Sequence, residues 1–271
     1  MKDAKQPEDF LRTLRMHYEQ HGRHDLPWRQ PERDGNFDPY KILVSEMMLQ
    51  QTQVPRVILK YQSFLRTFPS AKVLAAADLS AVLAAWQGLG YNRRAKYLWE
   101  AAKAVETAGR FPKNLKDLVA LPGIGANTAG AIMAYAYNQP VVFVETNIRT
   151  VYIHHFTRDD QIVSDDFIRD VVMATLDQDN ARDFYWALMD YGSYLKTTIR
   201  NNHQSRHYRK QSPFDGSRRQ VRGQVLRLLQ PRPLGRTTLQ AHISDARLDE
   251  VLAALISEGL VSYKDEKYRL G

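Results

Sequence analysis

Residues 121–149, LPGIGANTAGAIMAYAYNQPVVFVETNIR, constrain this chain more than any other stretch. Gly123 and Gly125 bracket a tight turn between two helix-like segments, LKDLVA and ANTAGAIMAYA. Glycine at such a turn admits positive φ and lets backbone N–H groups approach an oxyanion closely. A helix N-terminus directly behind the turn adds a dipole that favours phosphate. Alone, the loop is equally an ordinary αα-hairpin, so its meaning depends on the rest of the chain.

Most of that chain reads as helix. PEDFLRTLRMHYEQH, YKILVSEMMLQQTQV, LSAVLAAWQGL and RAKYLWEAAKAVETAG carry apolar residues at helical spacing between proline and glycine breaks. The β-branched run 141–144 is open to an extended reading and leads into 147–153. No apolar run approaches the roughly 18–20 residues of a membrane span. The start, MKDAKQPEDF, lacks the apolar core of a signal peptide, so a cytoplasmic protein is expected. The formal charge of +8 favours a polyanionic partner through counterion release. Cysteine is absent, which excludes disulfides, thiol catalysis and cysteine-ligated zinc or iron–sulfur centres.

Composition shifts over residues 196–222. Lys196, Arg200, Arg206, Arg209, Lys210, Arg218, Arg219 and Arg222 fall there with His203 and His207 and few apolar anchors. The stretch reads either as a solvated connector or as a phosphate-tracking arm. Beyond it, RQVRGQVLRLLQ, TTLQAHI and DARLDEVLAALISEGL read as three helices and LVSYKDEKYRL as a β-hairpin. That order resembles a winged helix, whose third helix often enters a DNA groove. Here the third helix carries Asp245, Asp249 and Glu250, so a protein-contact or structural role fits at least as well.

Two carboxylates stand out. Glu46 has Ile42 and Leu43 before it and Leu49 one turn after, on the apolar side of a helix. Desolvation there should raise its pKa and suit it to general-acid work, although a partnered buried glutamate is the plainer alternative. Glu145 follows VVFV and precedes NIRTVYIHHF, so the helix dipole, with Thr146 or Asn147 as cap, should keep it ionised. An anion there can stabilise positive charge growing on a sugar. One protonated and one charged carboxyl is the pattern of glycosidic cleavage.

The hairpin LPGIGANTAGAI recurs with LPW (26–28), SEMMLQQTQV (45–54), WQGLGYNRRA (86–95) and ALMDYG (187–192), in that order, over about residues 8–195. Together these blocks resemble the helix-hairpin-helix (HhH-GPD) DNA glycosylase superfamily, and within it the MutY adenine glycosylases; endonuclease III shares the fold. The resemblance implies a mostly α fold, two helical lobes with a catalytic cleft between them over 1–198. A basic linker over 199–218 and a small winged-helix-like domain over 219–271 would follow.

The resemblance also assigns roles. Glu46 stands where the family protonates the departing adenine. Glu145 stands where the family normally has aspartate, and so moves the charge one methylene further from the backbone. Asn127 replaces the lysine with which bifunctional relatives form a Schiff base, which implies a monofunctional enzyme. Gln50, Gln51 and Tyr91 match wedge and intercalating residues, with Asn92 replacing a second aromatic. Leu121, Gly123, Gly125, Asn127 and Thr128 match the DNA-holding hairpin, and Trp28, Arg29 and Asn147 positions near the base pocket. For each of these, core packing or surface polarity competes.

Relatives hold a four-iron cluster on four cysteines after the ALMDYG block. Lys196, His203, Arg206 and Ser212 fall at about those points here, so no cluster and no cofactor is expected. His203 and His207 are too weak a pair for zinc. The winged-helix-like unit stands where MutY has a nudix-like domain that recognises 8-oxoguanine. The expected activity is excision of adenine opposite 8-oxoguanine or guanine in double-stranded DNA, by a monomer. The alternatives are thymine or uracil opposite guanine as target, and a catalytically silent lesion-binding protein, the latter motivated by Glu145.

Overall fold

The structure, a computed structural model, describes residues 7–158, 162–199, 201–206 and 213–271. In chain order its helices are α1 (Pro7–His21), α2 (Pro39–Leu49), α3 (Val54–Thr67), α4 (Ala71–Ala76), α5 (Leu79–Ala85), α6 (Arg93–Ala108) and α7 (Leu115–Val119). They continue with α8 (Ala126–Tyr137), α9 (Thr146–Phe156), α10 (Asp165–Thr175), α11 (Ala181–Thr198), α12 (Arg218–Leu229), α13 (Arg236–His242) and α14 (Leu248–Ser257). A hairpin of β1 (Val261–Lys264) and β2 (Lys267–Leu270) closes the chain.

Helical spacing explains most of these elements. On α6 the buried apolar positions are Ala95, Leu98, Ala101, Ala102 and Val105, one stripe that ends at the left-handed Gly109. α2 behaves differently. The sequence pattern extends it through Val54, but the helix stops at Leu49 because Gln51 turns left-handed, at φ 54°. The run 141–144 forms no strand. Side chains take up its backbone instead: Tyr185 donates to the Val141 carbonyl at 2.7 Å and Asn127 to that of Val144 at 2.8 Å.

The chain divides into two units built from separated stretches: residues 1–42, 112–120 and 124–210 form one, and 43–111, 121–123 and 211–271 the other. In the first unit α11 packs against α1, α8 and α9, and α10 packs on α9. Gly192 on α11 lies so close to the Asn147 backbone that any Cβ would collide with it. A 3-10 turn, Asn201–Gln204, also packs on α9. Buried amides hold it: Asn201 donates to the Thr150 carbonyl at 3.0 Å and Gln204 to that of Arg158 at 2.7 Å. The described part of the basic stretch is therefore anchored, by polar rather than apolar residues. Arg200, His207, Arg209, Lys210 and Ser212 lie outside the described residues.

In the second unit α4 and α5 pack on α6, and α3 packs on α5. The C-terminal segment pairs α12 with α14 and lays β2 against both α12 and α5. Strand register runs from Val261 opposite Leu270 to Lys264 opposite Lys267. Asp265 and Glu266, at φ 51° and 56°, form the two-residue turn. Leu234 bridges Tyr268 as a short third partner. The acidic residues of α14 are spoken for within this segment, since Arg236 binds Asp249 and Arg218 approaches Glu250.

Candidate active site

Two groups of the singled-out residues emerge, one in each unit. In the first unit, the centre is the step from the 141–144 run into α9. Glu145 is itself the N-cap of α9, with extended backbone and no capping hydrogen bond from its side chain. This corrects the expectation that Thr146 or Asn147 caps the helix. Nor does the dipole set the direction of its shift: burial pushes the Glu145 pKa above the usual glutamate value, and the nearby Arg149 only partly offsets this. Arg149, one turn along, is itself committed to Asp165 through two bonds of 2.6 and 2.7 Å.

Asn127 fixes the backbone on which Glu145 sits. Its amide donates to the Val144 carbonyl at 2.8 Å and accepts from the Val144 N–H at 3.4 Å. A residue in the first turn of α8 thus clamps the position immediately before Glu145. On the other side of that helix start the N-cap is Gly125, which has no side chain of its own to cap the first turn. Its φ is −87°, so the expected left-handed freedom is used at Gly123 alone, at φ 73°. Leu121 is buried and Thr128 half-buried.

Trp28 and Arg29 form a 3-10 turn, Pro27–Arg29, and both are buried. The Arg29 guanidinium is held bidentately by Asp190 of α11, at 2.7 and 2.9 Å, and lies 5.3 Å from the Trp186 ring centre. Arg23 adds its backbone N–H and its Nε to the same carboxylate at 2.8 and 2.7 Å. Burial alone would raise the Asp190 pKa, but the Arg29 hydrogen bonds and the two arginine charges hold it below the usual value. Asn147 is half-buried, with its amide 4.0 Å from the Met189 sulfur.

In the second unit, Glu46 is the half-buried position of an otherwise covered α2 segment, with Leu43, Val44, Ser45, Met47 and Met48 all buried. Beyond the end of α2, Gln50 and the exposed Gln51 form one loop; Gly88 to Tyr91 form another. Tyr91 is the second left-handed residue of the pair, at φ 47°, following Gly90 at φ 70°. Both loops are held by Arg94, only 7% exposed. Its guanidinium donates to the carbonyls of Met47, Met48 and Gln50 at 2.6, 3.0 and 2.6 Å. It also reaches the Leu89 and Gly90 carbonyls at 3.1 and 3.0 Å and the Thr52 hydroxyl at 3.2 Å. All six acceptors are neutral oxygens. Burial lowers the Arg94 pKa to about 10, which still leaves it charged at neutral pH. Such a cation pins two strained backbones at once, and both strained residues are candidates for insertion into DNA.

Residues 44–170 match the family of HhH-GPD superfamily base excision DNA repair proteins. The adenine DNA glycosylase of Mycolicibacterium smegmatis is 36% identical over 266 residues, which span 89% of this chain and 89% of that protein. The chain belongs to the HhH-GPD family of base excision DNA repair proteins. Among solved structures it is similar to a thermostable thymine-DNA glycosylase, with TM-score 0.59 and 25% identity over 69% of this chain and 86% of that one. A trapped endonuclease III–DNA covalent intermediate shares the fold, with TM-score 0.57 and 17% identity over 78% of this chain and 91% of that one.

Within this family the positions expected to hold a cluster carry Lys196, His203 and Arg206, with Ser212 outside the described residues, and none is a thiol. These residues do not fit an iron–sulfur centre. Among the described residues no group of three or more potential metal ligands occurs. No described helix is long and apolar enough to cross a membrane.

Sequence reasoning passed over Arg94 and Asp190. Both lie inside quoted blocks, WQGLGYNRRA and ALMDYG. For Asp190 the available signal is a lone ion within the apolar run ALMDYG, since such a residue must find buried partners; Arg94, between Arg93 and Lys96, gives no such signal.

Proposed function

We propose that this chain is a monofunctional DNA glycosylase that hydrolyses the N-glycosidic bond of adenine in double-stranded DNA, opposite 8-oxoguanine or guanine. The observation that carries the proposal is the Asn127 clamp on Val144, which delivers Glu145 from a rigid backbone. Glu145 is a carboxylate whose ionised form is poorly solvated in the free protein. Such an anion gains most when positive charge develops beside it, as on the sugar while its C1′–N bond breaks. Glu46 gives a proton to a ring nitrogen of adenine, so the bonding electron pair leaves with a neutral base. Water then adds at C1′ and loses a proton, leaving an abasic site.

Asn127 has no amine, and its amide is bound to backbone, so no Schiff base forms at this position and the strand stays intact. The first turn of α8, with the helix dipole behind it, binds a DNA phosphate through its N–H groups. Gln50, Gln51 and Tyr91 fill the gap left by the extruded base. Trp28, Arg29 and Asn147 shape the pocket that receives it; for Arg29 the bonds to Asp190 support a role in holding that pocket. The protein acts as a monomer in the cytoplasm, and residues 219–271 form a winged-helix-like module. A second reading, removal of thymine or uracil opposite guanine, is favoured by the similarity to the thymine-DNA glycosylase.

Single-turnover base release from adenine opposite 8-oxoguanine, adenine opposite guanine, and thymine or uracil opposite guanine tests the proposal. Adenine should be released fastest. Glu46→Gln should abolish release while DNA affinity stays intact. Release of a pyrimidine alone would move the assignment to the second reading, and binding without any release would make the chain a lesion-binding protein.

A further inference from the structure

The C-terminal segment meets the insertion tip directly. Arg219, in the first turn of α12, donates from Nη1 to the Tyr91 hydroxyl at 3.0 Å, across 128 residues of sequence. Its guanidinium lies 5.8 Å from the centre of the Tyr91 ring. Arg94 lies 5.5 Å from the same ring. The phenol is therefore contacted by two arginines, one from its own loop framework and one from the C-terminal segment.

The start of α12 is linked to α6 through the end of α14. Lys96, on α6, donates to the Glu258 carbonyl at the end of α14 at 2.6 Å. The Glu258 carboxylate in turn binds Arg222 of α12 through bonds of 3.1 and 2.5 Å. Gly259 sits against Lys96, where a Cβ would crowd the ammonium. Arg222 is one helical turn beyond Arg219, so the same contact that seats the segment also aims Arg219. Ser217 caps that turn through the Gln220 N–H at 3.4 Å, and the Pro213 carbonyl accepts from Arg219 at 3.3 Å.

We propose that the C-terminal segment is a working part of the DNA-reading face, and that Arg219 is a positioning residue for Tyr91. Tyr91 holds a left-handed backbone and 36% of its surface is exposed, and its hydroxyl is held by a donor from the C-terminal segment. A hydrogen bond at the hydroxyl, with the backbone anchored by Arg94, fixes the ring at both ends. Tyr91 is then presented to the duplex ready for insertion, and the cost of ordering it is met before DNA arrives. This inference rests on the insertion role given to Tyr91 above.

The test follows extrusion separately from bond hydrolysis, using 2-aminopurine opposite guanine as the target base and its fluorescence rise as the readout. Arg219→Gln and Tyr91→Phe should each slow extrusion about tenfold, as expected for loss of one hydrogen bond. The double variant should be no slower than the poorer single variant, because both changes break one contact. Arg219→Lys, which keeps a donor, should restore much of the rate. Wild-type extrusion by Arg219→Gln, or losses that multiply in the double variant, would overturn the proposal. Adenine release is measured on the same proteins. Extrusion without release would refute the glycosylase reading and leave this inference standing.

Discussion

Asp190 and Arg94 are both buried ions, and the two units settle them in opposite ways. Asp190 is neutralised by charge: two arginines converge on one carboxylate and tie the Pro27–Arg29 turn to α11. Arg94 is settled by dipoles: carbonyls from the end of α2 and from the loop before α6 share its charge. The difference teaches what each region needs. A buried ion pair joins two elements that must not move, and its side chains carry the contact. A carbonyl-held cation instead dictates backbone shape, which suits loops whose side chains, Gln51 and Tyr91, are proposed to meet DNA. Glu145 is a third case, a carboxylate left underneutralised, and it is the one assigned to chemistry.

Asp190→Asn should break the first arrangement most severely, leaving Arg29 buried without its partner. A loss of about 3–5 kcal/mol in denaturant unfolding is expected. Because the Asp190 pKa is depressed on folding, its contribution is present above the unfolded value and is lost as pH falls through the folded one. The wild type should lose this increment in acid, and the variant should lack that pH dependence.

Arg94→Lys keeps the charge but offers three donors where five were available, and should cost about 2 kcal/mol by the same measurement. Its extrusion rate should fall further than that of Arg219→Gln, since both loops are released. If Arg94→Lys matched the wild type, the contrast between the two ions would collapse.

Asn201→Ala removes the buried amide that seats the 3-10 turn on α9, with an expected cost of about 1–2 kcal/mol. The smallest change is one of sign. Glu145 has a raised folded pKa, so the stability it contributes is present below its unfolded value and lost as pH rises through the folded one. Glu145→Gln should therefore match the wild type in acid and exceed it in stability at neutral pH, as read by thermal unfolding across pH.

The helices were largely legible because their cause is local. The α1 boundaries coincide with the segment PEDFLRTLRMHYEQH, and the three C-terminal helices and the hairpin stand where periodicity puts them. What was illegible depends on distant partners. Nothing between Leu49 and Val54 announces that Arg94 will take the last carbonyls of α2 and end the helix. The anchoring of 201–206 escaped notice because buried amides, not apolar residues, make it. The direction of the Glu145 pKa shift is hidden for a similar reason. The dipole is visible in sequence, whereas the surrounding protein that outweighs it is not.

The central claim is that the Asn127–Val144 clamp presents Glu145 for base release without strand cleavage. Its most direct test is single-turnover reaction of the wild type and Glu145→Gln on one duplex, adenine opposite 8-oxoguanine, with and without alkali. The wild type should yield strand breaks only after alkali, and Glu145→Gln should be slower by roughly 100-fold or more. Adenine release by Glu145→Gln at the wild-type rate, or breaks in the untreated wild-type sample, would contradict the claim.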